Sequence, residues 1–290
     1  MEETEAMMIP LSAPYLVEST GGLSVRIVPS RGLEIDGAWF AGVPLHWNGS
    51  ATDAYTDDPW LSSFAQSMVT TCGLNNVGEP SEGYGLHGDL AMIPATQVTV
   101  RHEGDTTLVT GLIRDGAMEC RRTITVIPSA GSLRIDDAVT NLGLERLQAP
   151  FLYHVNWGEP FLGPELAVEG EVESTVSRDG GEVATGWRAP FTAIAADELV
   201  LEHRVPADAN GWRSLTFANT KVEIVARVSW LGLDRVHEWI ATHRGAAVAA
   251  IEPANCSVLG RAHDREMGDA PYLEPDEVRR TSLLIEVRKA

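Results

Sequence analysis

Along most of this chain, apolar and polar residues alternate one by one, with β-branched side chains on the apolar positions and Gly, Asp or Asn where the alternation stops. A period of two marks an extended backbone with one buried and one wet face, because successive side chains of a strand point to opposite sides. "LSVRIVPS", "TQVTVRHEG", "TTLVTGLIRDG", "RRTITVIPSAG", "SLRIDDAVTNLG" and "VEIVARVSW" each read as a strand of 5 to 8 residues ending in turn chemistry. Within residues 97 to 140 the connections "HEGD", "RDGA" and "PSAGS" are short, so the strands they join are expected to pair antiparallel as a meander. Helical spacing is confined to "DPWLSSFAQSM", where Trp60, Phe64 and Met68 recur every four residues behind an acidic start. The pattern predicts one short helix over residues 58–68.

Many short strands, 27 glycines, 16 prolines and little helix define an all-β chain, a large antiparallel β-sandwich in one domain spanning residues 1–290. The polar stretches 48–60, 203–212 and 262–271 are expected to be loops inside that domain and not linkers.

Composition narrows what such a sandwich does. With 44% hydrophobic residues over 290 positions the chain fills a full core. Its net charge of −19, from 22 basic and 41 acidic residues, repels a phosphate backbone and excludes a nucleic-acid partner. Cys72, Cys120 and Cys256 are odd in number and lack C-x-x-C spacing, which suits the reducing cytoplasm and argues against a structural zinc site. An acidic N-terminus and the lack of an apolar run of about 20 residues predict no signal peptide and no membrane span. The Asn48 and Asn255 N-x-S matches are then not glycosylation acceptors. Open strand edges leave a monomer or a homodimer as the expected state.

Three positions carry candidate chemistry. His87 lies in "GYGLHGDL", where Gly85 and Gly88 permit a tight turn and a ligand's approach. The alternative there is a loop histidine bonded to a carbonyl. His154 lies in the apolar strand "PFLYHVNWGEPF" with Asn156 on the same face, either a hydroxyl-binding pair or a core histidine with one hydrogen bond. Glu252 ends the buried-strand pattern "AAVAAI" before Pro253, and a carboxylate there is costly without partners or a cleft. That placement is typical of a general base.

In combination, "LRIDDAVTNLG", "APFLYHVNWG", "YGLHGDL" and "AIEPAN" resemble, in the same order, the strands and loops of the aldose 1-epimerase (galactose mutarotase) superfamily. "PSRGLEI", "TTCGLNNVG", "YHVNWGEPFL" and "IEPANCSVLGR" resemble more closely a DUF4432-like branch of unknown function, over about residues 22 to 287. The resemblance implies a mutarotase-like supersandwich and an isomerase that interconverts the anomers of a monosaccharide or derivative. It implies Glu252 as general base on the C1 hydroxyl, His154 as general acid at the ring oxygen and His87 as a second imidazole. No cofactor, metal or covalent intermediate is implied, and the partner is a small carbohydrate.

Arg31 in "PSRGLEI" and Arg261 in "VLGRA" read as substrate-binding guanidinium forks or as salt-bridged structural groups. His237 is a further cleft candidate, and no counterpart of the superfamily's hydroxyl-binding acidic residue stands between His154 and Glu252. Cys72 reads as a buried small residue. Trp39, Trp47, Trp60, Trp157 and Trp239 read as core or as stacking faces. Two other classes fit the same residues: a carbohydrate-binding protein without turnover, and a metal-dependent sugar isomerase ligated by His46, His87, His154 and Glu252.

Overall fold

In the computed structural model, residues 7–10, 12–48, 64, 67–178, 180, 183, 186–193, 198–243 and 246–290 are described. The alternating segments become strands, which make up 54% of the structure against 8% helix. They form two large antiparallel sheets. The nine-stranded sheet contains the meander Thr96–Glu103, Thr106–Asp115, Met118–Ile127 and Ser132–Asn141 as consecutive neighbours, followed by Val278–Lys289, Ile224–Leu231, Arg213–Asn219 and Leu166–Glu169. Gly104, Gly116 and Gly131 turn the meander at φ +61°, +57° and +63°, the left-handed region that tight turns need.

The ten-stranded sheet runs Ser174–Ser177, Glu198–Arg204, Arg235–His243, Ala246–Ala254, Phe151–Trp157, Val69–Gly73, Glu34–Phe40, Leu23–Val28 and Tyr15–Val17, with Val43–Pro44 pairing alongside. Its central strands are buried on both faces. In Phe151–Trp157 the odd positions Phe151, Tyr153, Val155 and Trp157 pack into the core between the sheets. The even position Leu152 packs with Cys72, Val248, Ala254, Trp47 and Phe64 in a second cluster on the outer face. The candidate site lies on that outer face.

A buried polar network joins the two layers behind it. Arg122, 1% exposed, donates to both carboxylate oxygens of Asp137 (2.9 and 2.8 Å), to the Gly32 carbonyl (3.0 Å) and to Thr71 Oγ1 (2.8 Å). The Tyr153 hydroxyl donates to Asp137 Oδ2 at 2.7 Å and meets Thr281 Oγ1 at 2.9 Å. Arg122, Asp137 and Thr281 belong to the nine-stranded sheet, Thr71 and Tyr153 to the ten-stranded one.

Two local expectations need correction. Residues 262–271 are not all loop: Arg261–Met267 is a short helix closed by Gly268 at φ +76°. Only Asp264 of that helix is buried, so it carries no apolar stripe for a periodicity argument to find. His203, placed in a loop by composition, ends the strand Glu198–Arg204 and is fully buried. Of the expected helix over 58–68, all but Phe64, Ser67 and Met68 lies outside the described residues, as does Trp60.

Candidate active site

Five adjacent strands each place one side chain in a single row across the outer face. Glu34 receives a 3.0 Å hydrogen bond from Thr70 Oγ1, Thr70 is the cross-strand partner of His154, and His237 is the cross-strand partner of Glu252. Between them, His154 Nε2 lies 3.0 Å from Glu252 Oε1. The row Glu34–Thr70–His154–Glu252–His237 thus spans four strand spacings, about 19 Å at about 4.8 Å each. In the next row Asn156 pairs with Ala250 and Ala250 with Trp239, so one small residue stands between two larger ones.

His154 and Glu252 are each about 3% exposed. Around the imidazole stand Phe64 at 4.5 Å, Trp239 at 5.6 Å and His87 at 5.8 Å between ring centroids, all edge-on. Trp47 packs on both Phe64 and Trp239. This aromatic wall lowers the local dielectric and strengthens the contact it encloses. Burial alone pushes the Glu252 carboxyl up, but the charge and hydrogen bond of His154, with His237 behind it, outweigh burial and hold it below the usual carboxylate range. Glu252 is therefore an ionised acceptor. Among the described residues, His154 Nδ1 is buried without a hydrogen-bond partner, as are both amide atoms of the fully buried Asn156. Buried polar atoms left unpaired are costly, and they stand on the same strand face two residues apart.

His87 reaches this centre from the loop after Val69–Gly73. The loop closes on itself: His87 N donates to Gly78 O at 2.9 Å, Gly73 N to His87 O at 3.1 Å, and Gly78 N to His87 Nδ1 at 3.3 Å. His87 adopts φ +58° and Gly88 φ +71°. At Gly88 a Cβ would stand 2.4 Å from Asn76 O, so the turn needs glycine for space as well as for backbone freedom. Burial, then the neighbouring His154, pushes the His87 pKa down to about 3, so its imidazole is neutral through the physiological range.

Arg31 pairs with Glu34, Nε to Oε2 at 3.1 Å and Nη2 to Oε1 at 2.5 Å. Glu34 is 1% exposed, and its burial outweighs Arg31, Ser67 and Thr70 to raise its pKa. The two carboxyl groups of the row are thus driven in opposite directions, one towards the acid form and one towards the base form. Sequence reasoning missed Glu34 because "GLEI" reads as ordinary strand alternation. Its available signal was a carboxylate three residues after a candidate arginine, flanked by Leu33 and Ile35.

Arg261 is engaged with the His87 loop: Nη1 donates to Asn75 O at 2.7 Å, Nε lies 3.1 Å from Glu82 Oε2, and the guanidinium covers Tyr84. His237 Nε2 meets the Cys256 carbonyl at 3.0 Å beside Glu252. His46 is not brought to the others. Its Nδ1 contacts the backbone of Ala38 and its ring packs on Trp39. Among the described residues no three His, Cys, Asp or Glu side chains converge as a metal-ligand group. Cys72 is fully buried; burial and then the Glu252 charge hold its thiol well above its ordinary pKa. Trp157 packs in the inter-sheet core, whereas Trp47 and Trp239 border the site. A second His–Glu contact, His203 Nε2 to Glu238 Oε2 at 3.1 Å, lies inside the sandwich, stacked against Trp187.

A family described as Domain of unknown function (DUF4432) matches residues 14–287. No curated protein matches the chain. Among solved structures, a Klebsiella pneumoniae protein provisionally named an aldose 1-epimerase superposes with a TM-score of 0.80 at 19% identity, covering 94% of this chain and 78% of that one. A galactose mutarotase-like protein from Clostridium acetobutylicum superposes with a TM-score of 0.71 at 14% identity, over 99% of this chain and 98% of that one. The Slr1438 protein of Synechocystis gives 0.70 at 16% identity, over 98% and 100%. At such identities the likeness is one of fold. Among the described residues, no helix is long and apolar enough to cross a membrane.

Proposed function

We propose, from the premise that the chain belongs to the DUF4432 family, that it is a sugar isomerase of the aldose 1-epimerase type. The observation that carries this reading is the 3.0 Å contact between His154 Nε2 and Glu252 Oε1 in an aromatic-walled site. A hemiacetal presents both reacting oxygens on one carbon, so an acid and a base that open the ring must stand side by side. These two do.

Glu252 takes the proton of the C1 hydroxyl while His154, in its protonated form, delivers one to the ring oxygen, and the C1–O bond to the ring breaks. Rotation about C1–C2 and reclosure from the other face reverse both transfers. The product then leaves with the acid and base restored. His87, neutral and carried on its loop with Nδ1 accepting from Gly78 N, donates one hydrogen bond from Nε2 to the ring oxygen or an adjacent hydroxyl. The unpartnered amide of Asn156 and the Arg31–Glu34 pair bind other hydroxyls, which orients the sugar along the row. The names of the Klebsiella and Clostridium proteins support the reaction class.

Polarimetry on freshly dissolved anomers, with and without protein, tests the reaction. Glu252→Gln keeps the shape of the group and removes its basicity, so kcat should fall by about 10²-fold to 10⁴-fold. A protein that binds sugars but never accelerates their anomerisation would be a carbohydrate-binding protein instead.

A further inference from the structure

One strand beyond Glu252 the outer face of the ten-stranded sheet opens into a cavity of about 160 Å³. His237 is the wall it shares with the acid–base row, since His237 is the cross-strand partner of Glu252 on one side and of Glu202 on the other. The edge strand Ser174–Ser177 and its neighbour Glu198–Arg204 form the floor, and residues 257–259 with His263 form the far side. An enclosed apolar cavity of about 150 Å³ holds benzene; this one is open to solvent, so a pyranose ring seats in it with part of its hydroxyls outside.

Its lining favours a neutral, hydroxylated ring. Arg178 is already bound to Glu198 at 2.7 Å, and Arg235 to Asp269 at 2.8 Å with Glu202 at 3.6 Å. An anionic group would have to displace a carboxylate in a chain of charge −19. Hydroxyl groups need no such exchange: a paired guanidinium keeps spare N–H groups and a paired carboxylate keeps spare lone pairs. Val176, Val200 and Leu259 supply the apolar contact that the C–H face of a sugar ring requires. Ion-paired polar groups alternating with aliphatic ones match a carbohydrate better than they match a lipid or a phosphate.

We propose that this cavity binds a second, neutral sugar ring, so that the preferred substrates are reducing disaccharides whose reducing ring lies at Glu252 and His154. The placement of the reducing ring rests on the function proposed above. Val176 sits on the sheet edge and is 55% exposed, so Val176→Trp is compatible with folding and projects an indole across the cavity.

The test is isothermal titration of the full chain at anomeric equilibrium with glucose, galactose, maltose, cellobiose and lactose, which reads binding whether or not turnover occurs. At least one disaccharide should bind about tenfold or more tightly than the monosaccharide at its reducing end. Val176→Trp, with an unchanged Tm, should remove most of that advantage. Monosaccharides that bind as tightly as every disaccharide, a lack of binding by all five sugars, or an advantage that survives Val176→Trp would overturn the inference. Polarimetry separates the two readings. A disaccharide preference without accelerated anomerisation keeps the cavity and removes the enzyme, and fast turnover of glucose or galactose without that preference does the reverse.

Discussion

At the scale of single residues, the two imidazoles facing Glu252 differ in ways that kinetics resolves. His154 sits on a central strand, fixed by Phe64 and Trp239 and bonded to the carboxylate. A proton donor needs that rigidity, and the interaction it makes grows as charge develops on the ring oxygen. His154→Asn should therefore lower kcat with little change in KM, whereas His87→Asn should raise KM at least as much as it lowers kcat. The reverse pattern in steady-state rates over pH 5 to 9 would exchange the two roles. His87 also makes a prediction about stability. Its pKa is about 3 in the folded protein against 6.5 as the reference. Between those values the unfolded chain binds the extra proton, so this group's contribution favours folding more as pH rises from 3 to 6.5. Asparagine tolerates the left-handed φ of this position and does not titrate. The drop in Tm from pH 7 to pH 4 should be smaller in His87→Asn than in the parent.

Elements set how precisely those residues are held. The loop carrying His87 depends on close approach at Gly88, where a Cβ would meet the Asn76 and Gly73 carbonyls and where φ is +71°. Gly88→Ala should cost on the order of 1–3 kcal/mol in urea unfolding and displace His87, raising KM. Gly85, three residues earlier, has open space where its Cβ would stand. Gly85→Ala should stay within about 0.5 kcal/mol of the parent. The elements were also where the sequence was most readable. Alternation located the meander because its strands largely alternate buried and more exposed positions, but three of them run to 10 residues where 5 to 8 were expected, and Met118–Ile127 begins three residues before "RRTITVIPSAG". It also put His154 and Asn156 on one face. It did not reveal that this face is buried, because the strand Phe151–Trp157 is covered on both sides and polarity then no longer reports exposure. Glu34 escaped notice because "GLEI" continues an ordinary alternation, although the structure buries it. The strand Arg235–His243 shows the limit of reading residue types: His237 and Glu238 are adjacent, yet the pleat sends one to the site and the other into the sandwich beside His203.

Across the whole molecule, the layers meet through Arg122 and Asp137 as well as through apolar packing. Removing one member of a buried ion pair leaves a charge without a partner, and Arg122→Met should cost about 3–5 kcal/mol in urea unfolding. Arg122→Met combined with Asp137→Leu should lose less than the sum of the two single changes, which a double-mutant cycle would measure. Losses that simply add would show that the two side chains act independently. The same network has a consequence for assembly of the protein. Its contacts on the ten-stranded sheet each lie one residue from a member of the site, Thr71 following Thr70 and Tyr153 preceding His154, and Gly32, in the turn before that sheet's strand Glu34–Phe40, follows Arg31. A one-residue slip of a strand would turn the imidazole or the threonine inward and withdraw a hydroxyl that Arg122 or Asp137 bonds, leaving the Arg122–Asp137 pair intact but short of one buried hydrogen bond, at about 1–3 kcal/mol. The core therefore proofreads the chemistry on the other side of the sheet, and molecules whose strands are misaligned at the site are rejected by their own folding energetics before they meet a substrate.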